Sequence, residues 1–136
     1  MNSARRLVVS LCVLLAAVVL TANAAPAAGN FTGAFTLGAA SASGDNVQVS
    51  ISLAVTNNTG ADVRNAVIAL HEPQAARVTY GQLTGLALPA GSAAQVNGFF
   101  TVPRALYESW QKGSSPAMSV SFTDAKGNPV RSFIEF

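Results

Sequence analysis

Residues Asn46 to Gly60 read NVQVSISLAVTNNTG, and this stretch decides the fold. Val47, Val49, Ile51, Leu53 and Val55 fall on one side of an extended chain, and Gln48, Ser50, Ser52, Ala54 and Thr56 on the other. A period of two over this length is the signature of a strand with one buried face. Each apolar side chain removed from water contributes about 1.5–3 kcal/mol. Five of them are a large share of the stability of a small domain. The ribbon therefore predicts one wall of a hydrophobic core, ended by the turn-forming Asn57–Asp62 (NNTGAD).

Working outward, Phe31–Leu37 (FTGAFTL) reads as an edge-like first strand weakened by Gly33, and Gly38–Asp45 (GAASASGD) as a flexible turn region. Val63–Leu70 is a further strand, broken by HEPQ at Pro73. ARVTYG and LTGLAL are two shorter ones, Leu88–Ala93 is a turn, and AQVNGFFTV runs extended to Pro103. There the period changes. In PRALYESWQKG, Leu106 and Trp110 are four apart and Tyr107 is three before Trp110. Pro103 suits a first helical turn, Lys112 a last turn and Gly113 a C-terminal cap, so one short helix is expected near residues 103–112. AMSVSFTD and PVRSFIEF return to strand, and the DAKGN turn between them makes a hairpin. About seven short strands with one-sided alternation predict an all-β, immunoglobulin-like two-sheet sandwich.

The first residues have a different character. Arg5 and Arg6 precede an uncharged apolar run from Leu7 to Leu20, and small residues follow around Ala22-Asn23-Ala24. That is the layout of a secretory signal peptide, expected over residues 1–24, with a linker over 25–30 and one domain over 31–136. The run is shorter than the roughly 20 residues of a membrane span. If left uncleaved, the segment would act as an anchor, the one route to a membrane. The expected location is the periplasm or the extracellular space. Cys12, the only cysteine, lies in this run, so the domain is expected to fold without a disulfide.

The formal net charge of +2 also comes from Arg5 and Arg6, because the remaining basic and acidic residues cancel. Nucleic-acid binding depends on a cationic surplus that the domain lacks.

The segment VQVSISLAVTNNTGADVRNAVIAL, followed by LPAGSAAQVNGFFTV, resembles bacterial extracytoplasmic immunoglobulin-like modules, including the cell-adhesion-related type. The resemblance implies a sandwich fold and an extracytoplasmic life of contact or spacing, and it brings no catalytic residues. The chain departs from the antibody type: it lacks the two core cysteines, and its single Trp is in the predicted helix.

Few residues point to chemistry. His71-Glu72 is the only place where an imidazole adjoins a carboxylate, and it reads as a partly exposed pair at a strand end. Zinc and copper sites usually need three or four such ligands. Asp45, Asp62 and Asp124 lie in separate turns without calcium-loop spacing. No serine sits in GxSxG. Asn30 and Asn57 match the N-glycosylation pattern in NFT and NNT, and read as turn residues. No catalytic residue, metal or cofactor is expected, and the protein is expected not to be an enzyme.

The candidate contact surface is aromatic: Tyr107, Trp110, Tyr80 and Phe100. Leu106 and Trp110 also have the spacing of a plug for the open end of a sandwich, and of Phe99 and Phe100 one ring should face inward and the other outward. The expected role is a secreted structural or protein-interaction module. Its partner would be another envelope or extracellular protein, or a second copy pairing along the low-charge FTGAFTL edge. The alternative is a carbohydrate-binding module that holds polysaccharide with Tyr107 and Trp110.

Overall fold

The computed structural model describes residues 29–136. The expected signal, its cleavage box and Cys12 lie outside the described residues. Seven strands and one helix follow in the order β1 (Phe31–Ser43), β2 (Asn46–Asn57), β3 (Val63–Glu72), β4 (Ala75–Leu88), β5 (Ala93–Pro103), α1 (Arg104–Gln111), β6 (Ala117–Thr123) and β7 (Pro129–Phe133). They form two sheets, β1-β2-β5 and β4-β3-β6-β7, in which every strand pair is antiparallel. The all-β two-sheet sandwich predicted from the alternation is the fold observed.

The opening ribbon does what its period requires. Val47, Val49, Ile51, Leu53 and Val55 are all buried. They meet Ala66, Ile68 and Leu70 of β3 and Met118 and Val120 of β6 in a single core between the sheets. β2 is the middle strand of its sheet, so both of its edges are hydrogen-bonded. That placement suits the most regular strand in the chain.

Two expectations are corrected. Gly38–Ser43 is not a loose turn but the second half of β1, paired with β2 through Ala40–Val49 and Ser43–Asn46 after a bulge beyond Leu37. The small polar residues have weak strand preference of their own, and the regular partner strand supplies the order. ARVTYG and LTGLAL are likewise one strand, β4, whose pairing with β3 shifts register repeatedly. Glycines hide this continuity in the sequence, and packing explains two of them. A methyl group on Gly81 would come within 2.8 Å of the Phe100 ring, and one on Gly98 within 2.8 Å of Leu83. The two sheets approach here through bare backbone.

The helix begins one residue later than expected, because Pro103 is extended (φ −56°, ψ 142°) and stands at its N-cap. It ends at Gln111, so Lys112 stands at the C-cap and not in the last turn, and Gly113 just beyond takes a φ of 108°, a conformation that favours glycine.

A corner residue ties the sheets together. Asn57, last in β2, is fully buried. Its Nδ2 donates to the carbonyls of Leu88 (2.7 Å) and Ala61 (2.8 Å), and its Oδ1 accepts from the N–H (3.0 Å) and hydroxyl (2.7 Å) of Thr59. Leu88 ends β4 in the opposite sheet, so one amide fixes the NNTG turn and joins the two layers. The glycosylation match at Asn57 is thus a buried turn residue, whose amide nitrogen is already engaged.

Candidate contact surface

The two sheets present different outer faces. None of β1, β2 and β5 contains a charged residue. Their outward rows, read across the sheet, are Thr32-Thr56-Ala93, Ala34-Ala54-Gln95 and Thr36-Ser52-Asn97, then Ser50-Phe99 and Ser41-Gln48-Thr101. These positions are exposed or half-exposed. Among small polar neighbours Phe99 is the only large ring on the face, and it is 73% exposed.

The outer face of β4-β3-β6-β7 is covered at one patch, around His71 and Ser119. His71 and Ser119 point away from the core and yet are buried. His71 Nε2 and Ser119 Oγ share a hydrogen bond of 2.6 Å, and Thr79 Oγ1 lies 3.4 Å from His71 Nδ1. The Phe133 ring lies 5.7 Å from the imidazole. Above that ring is the Arg131 guanidinium, 5.2 Å from its centre, which reaches on to the Ala76 carbonyl at 3.5 Å. Burial and, secondarily, the Arg131 charge hold the His71 pKa below its ordinary value. His71 is therefore no exposed strand-end residue, and its ring nitrogens face Ser119 and Thr79, not Glu72. A serine beside an imidazole has the spacing of a nucleophile and its base. Here the second ring nitrogen faces a threonine hydroxyl where a triad would place a carboxylate, and Ser119 is only 1% exposed.

The aromatic residues chosen from the sequence do not gather into one surface. Trp110 is buried in the core beneath α1, and its indole N–H has no partner among the described residues. Phe100 is buried as well, and the outward ring of the pair is Phe99. The reason is parity: Phe100 pairs with core-facing Val49, and Phe99 with Ser50. Tyr107 and Tyr80 are half-buried and pack at the core margin. The Tyr107 hydroxyl accepts a hydrogen bond from Gln111 Nε2 at 3.1 Å. Burial, and then the Glu72 charge, raise the Tyr80 pKa. Phe99 was missed by taking the wrong member of the pair. Counting residues from the Pro103 end against the β2 alternation is the signal that could have found it.

The acidic turn residues serve the backbone. Asp62 Oδ1 accepts from the Ala90 N–H (2.8 Å), and Asp124 Oδ1 from those of Lys126 (2.9 Å) and Asn128 (2.8 Å). Among the described residues no three His, Cys, Asp or Glu side chains come together. A broad open groove between the start of β3 and the β6–β7 turn is lined by Arg64, Asn65, Phe122, Asp124, Lys126 and Arg131, with charges of both signs. No helix among the described residues is long and apolar enough to cross a membrane.

No protein-family model and no curated protein matches the chain. Among solved structures it is similar to a GH20 exo-β-N-acetylglucosaminidase from Vibrio harveyi, with 14% identity, a TM-score of 0.41 and 78% of this chain covered. The chain spans 18% of that enzyme's length. It is also similar to the structural-genomics target SoR45, with 9% identity, a TM-score of 0.43, and 79% of this chain and 83% of that one covered. Likenesses this distant carry no argument about function.

Proposed function

We propose that this protein is a secreted, non-catalytic contact module of a bacterial envelope or extracellular assembly. In this reading it is an immunoglobulin-like sandwich that holds a protein partner against the outer face of β1-β2-β5. Strand order supports the immunoglobulin-like part. The first, second and fifth strands form one sheet, and the third, sixth and seventh form the core of the other, extended by the fourth. That is the partition of an immunoglobulin-type sandwich whose fourth strand joins the second sheet. The signal-like N-terminal segment supports the location.

The observation that carries the contact role is the uncharged face around Phe99. Interface cores are poor in charge and rich in aromatic residues, and such a face can be desolvated without stranding an ion. Affinity capture from the native envelope fraction tests this, comparing the unaltered protein with Phe99→Lys. A partner retained by the first and lost with the second is the expected result. A partner held equally by both would reject this face.

A glycan-binding module is the competing reading. It would have to rely on Phe99, since the Trp110 ring is enclosed. A glycan array in which Phe99→Lys abolishes binding to a neutral polysaccharide would favour it over a protein partner.

A further inference from the structure

Four strands stand at sheet edges, and three of the edges are guarded. β5 ends in Pro103. β4 carries Arg77 and pairs irregularly with β3. β7 is five residues long, begins with Pro129 and includes Arg131. Charges, prolines, irregular pairing and short length are the usual means of keeping an edge from templating another strand. β1 is thirteen residues long with no charge and no proline, and β2 is the one strand it pairs with among the described residues.

The start of β1 shows which of its groups face outward. The Glu135 N–H donates to the Phe31 carbonyl (3.0 Å), and the Gly33 N–H donates to the Glu135 carbonyl (2.9 Å). Phe31 and Gly33 thus direct their backbone groups away from β2. Alternation carries the same direction to Phe35 and Leu37. Among the described residues no strand covers those two, and the Phe136 ring packs edge-on against Phe35 at 5.3 Å. Phe136 is 38% exposed. The result, among the described residues, is a short open edge with an apolar flank, bounded on one side by Glu135 and on the other by the bulge after Leu37.

We propose that this edge, Ala34 to Gly38, pairs antiparallel with the same segment of a second copy about a two-fold axis at Thr36. The proposal rests on the reading of the chain as a contact module and names one of its partners. In this register Phe35 of each copy faces Leu37 of the other, and the two pairs exchange four backbone hydrogen bonds. Their side chains meet on the apolar flank. Thr36 meets its own counterpart on the outer face, and two uncharged edges approach without repulsion. Where the first copy's C-terminal segment takes up the edge, at Gly33, the arriving strand has reached its own bulge and bends away. The two uncharged faces join into a six-stranded sheet with the Phe99 rings on the same side. A contact of this length belongs to the weak, concentration-dependent class of interfaces.

Sedimentation velocity on the full-length product, in the form the expressing cell processes it, tests the pairing up to about 1 mM. The unaltered protein should shift from monomer to dimer with concentration. Thr36→Lys sets two like charges directly opposite each other, which disfavours the pair. Thr36→Lys and Thr36→Glu should each associate about two- to fivefold more weakly, and an equimolar mixture should recover the dimer. Thr36→Val, which keeps a strand-forming side chain at this exposed position, should dimerise as the unaltered protein does. Monomer throughout for the unaltered protein, dimers indifferent to charge at Thr36, or a mixture no tighter than either variant alone would each overturn the proposal. Loss of self-association with envelope capture intact would leave the contact-module reading standing, and the converse would leave the pairing standing.

Discussion

The outer faces of the two sheets are built from the same alternation and end up opposite in character. On β1-β2-β5 the outward residues are mostly small and all uncharged, nothing among the described residues is folded over them, and Phe99 stands 73% exposed. On β4-β3-β6-β7 the outward residues include a histidine and a serine that the chain covers itself: Phe133 lies beside the His71 ring, and the exposed Arg131 over Phe133. On this sheet the imidazole and the serine hydroxyl are paired with each other inside the fold. The β1-β2-β5 face is thus the uncharged one, while the other carries a covered patch beside a groove lined by charges of both signs.

The largest expected effect concerns the residue that joins the two sheets. Asn57→Ala removes the donor to the buried Leu88 carbonyl and the acceptor that holds Thr59. Leaving a buried carbonyl unpaired costs about 1–3 kcal/mol, and the lost turn bonds add to it. Urea denaturation should show a loss of about 2–4 kcal/mol with an unchanged m-value. A loss below about 0.5 kcal/mol would mean that the sheets do not depend on this amide.

Next comes a paired test of the two faces. Ser119→Ala takes the partner from a buried imidazole and should cost about 1–3 kcal/mol. Ser52→Ala, at an equivalent outward position of the open sheet, should stay within about 0.5 kcal/mol. Equal costs would erase the distinction between the faces.

A smaller effect is expected from pH. The unfolded imidazole titrates near the ordinary 6.5, and the folded one below it. Between those values the unfolded chain binds more protons, so stability rises with pH there. The contribution is full above about 6.5 and is lost as pH falls through the folded value. Thermal midpoints taken from pH 7.5 to pH 5 should fall for the unaltered protein and fall less for His71→Gln. Parallel curves would show that His71 is not the group responsible.

The strands that sequence could reveal are those whose own residues enforce the period. β2 alternates without interruption and lies in the middle of its sheet, and β6 and β7 flank a turn whose residues mark a hairpin. The second half of β1 was not legible, because Gly38–Ser43 has no apolar period and is ordered by its pairing with β2. β4 was read as two pieces because Gly81 and Gly85 interrupt it, and the reason for Gly81 is the ring of Phe100, distant in sequence. For the site the limit was parity. Choosing Phe100 over Phe99 inverts inside and outside, and a slip of one residue in a strand always does so. Trp110 at helical spacing from Leu106 could be read as plug or contact, and its neighbours made it a plug. The buried His71–Ser119 pair joins residues forty-eight apart, and no local pattern marks it.

The most direct test of the account compares one ring on each face. Phe99 and Phe133 are both exposed in the isolated protein, at 73% and 47%. Hydroxyl-radical footprinting can be run on the purified protein and again on the protein in its native envelope, with oxidation of both rings read by mass spectrometry. The account predicts that Phe99 is protected in the envelope while Phe133 reacts at its free rate. Phe99 reacting equally in both settings, or protection at Phe133 alone, would contradict it.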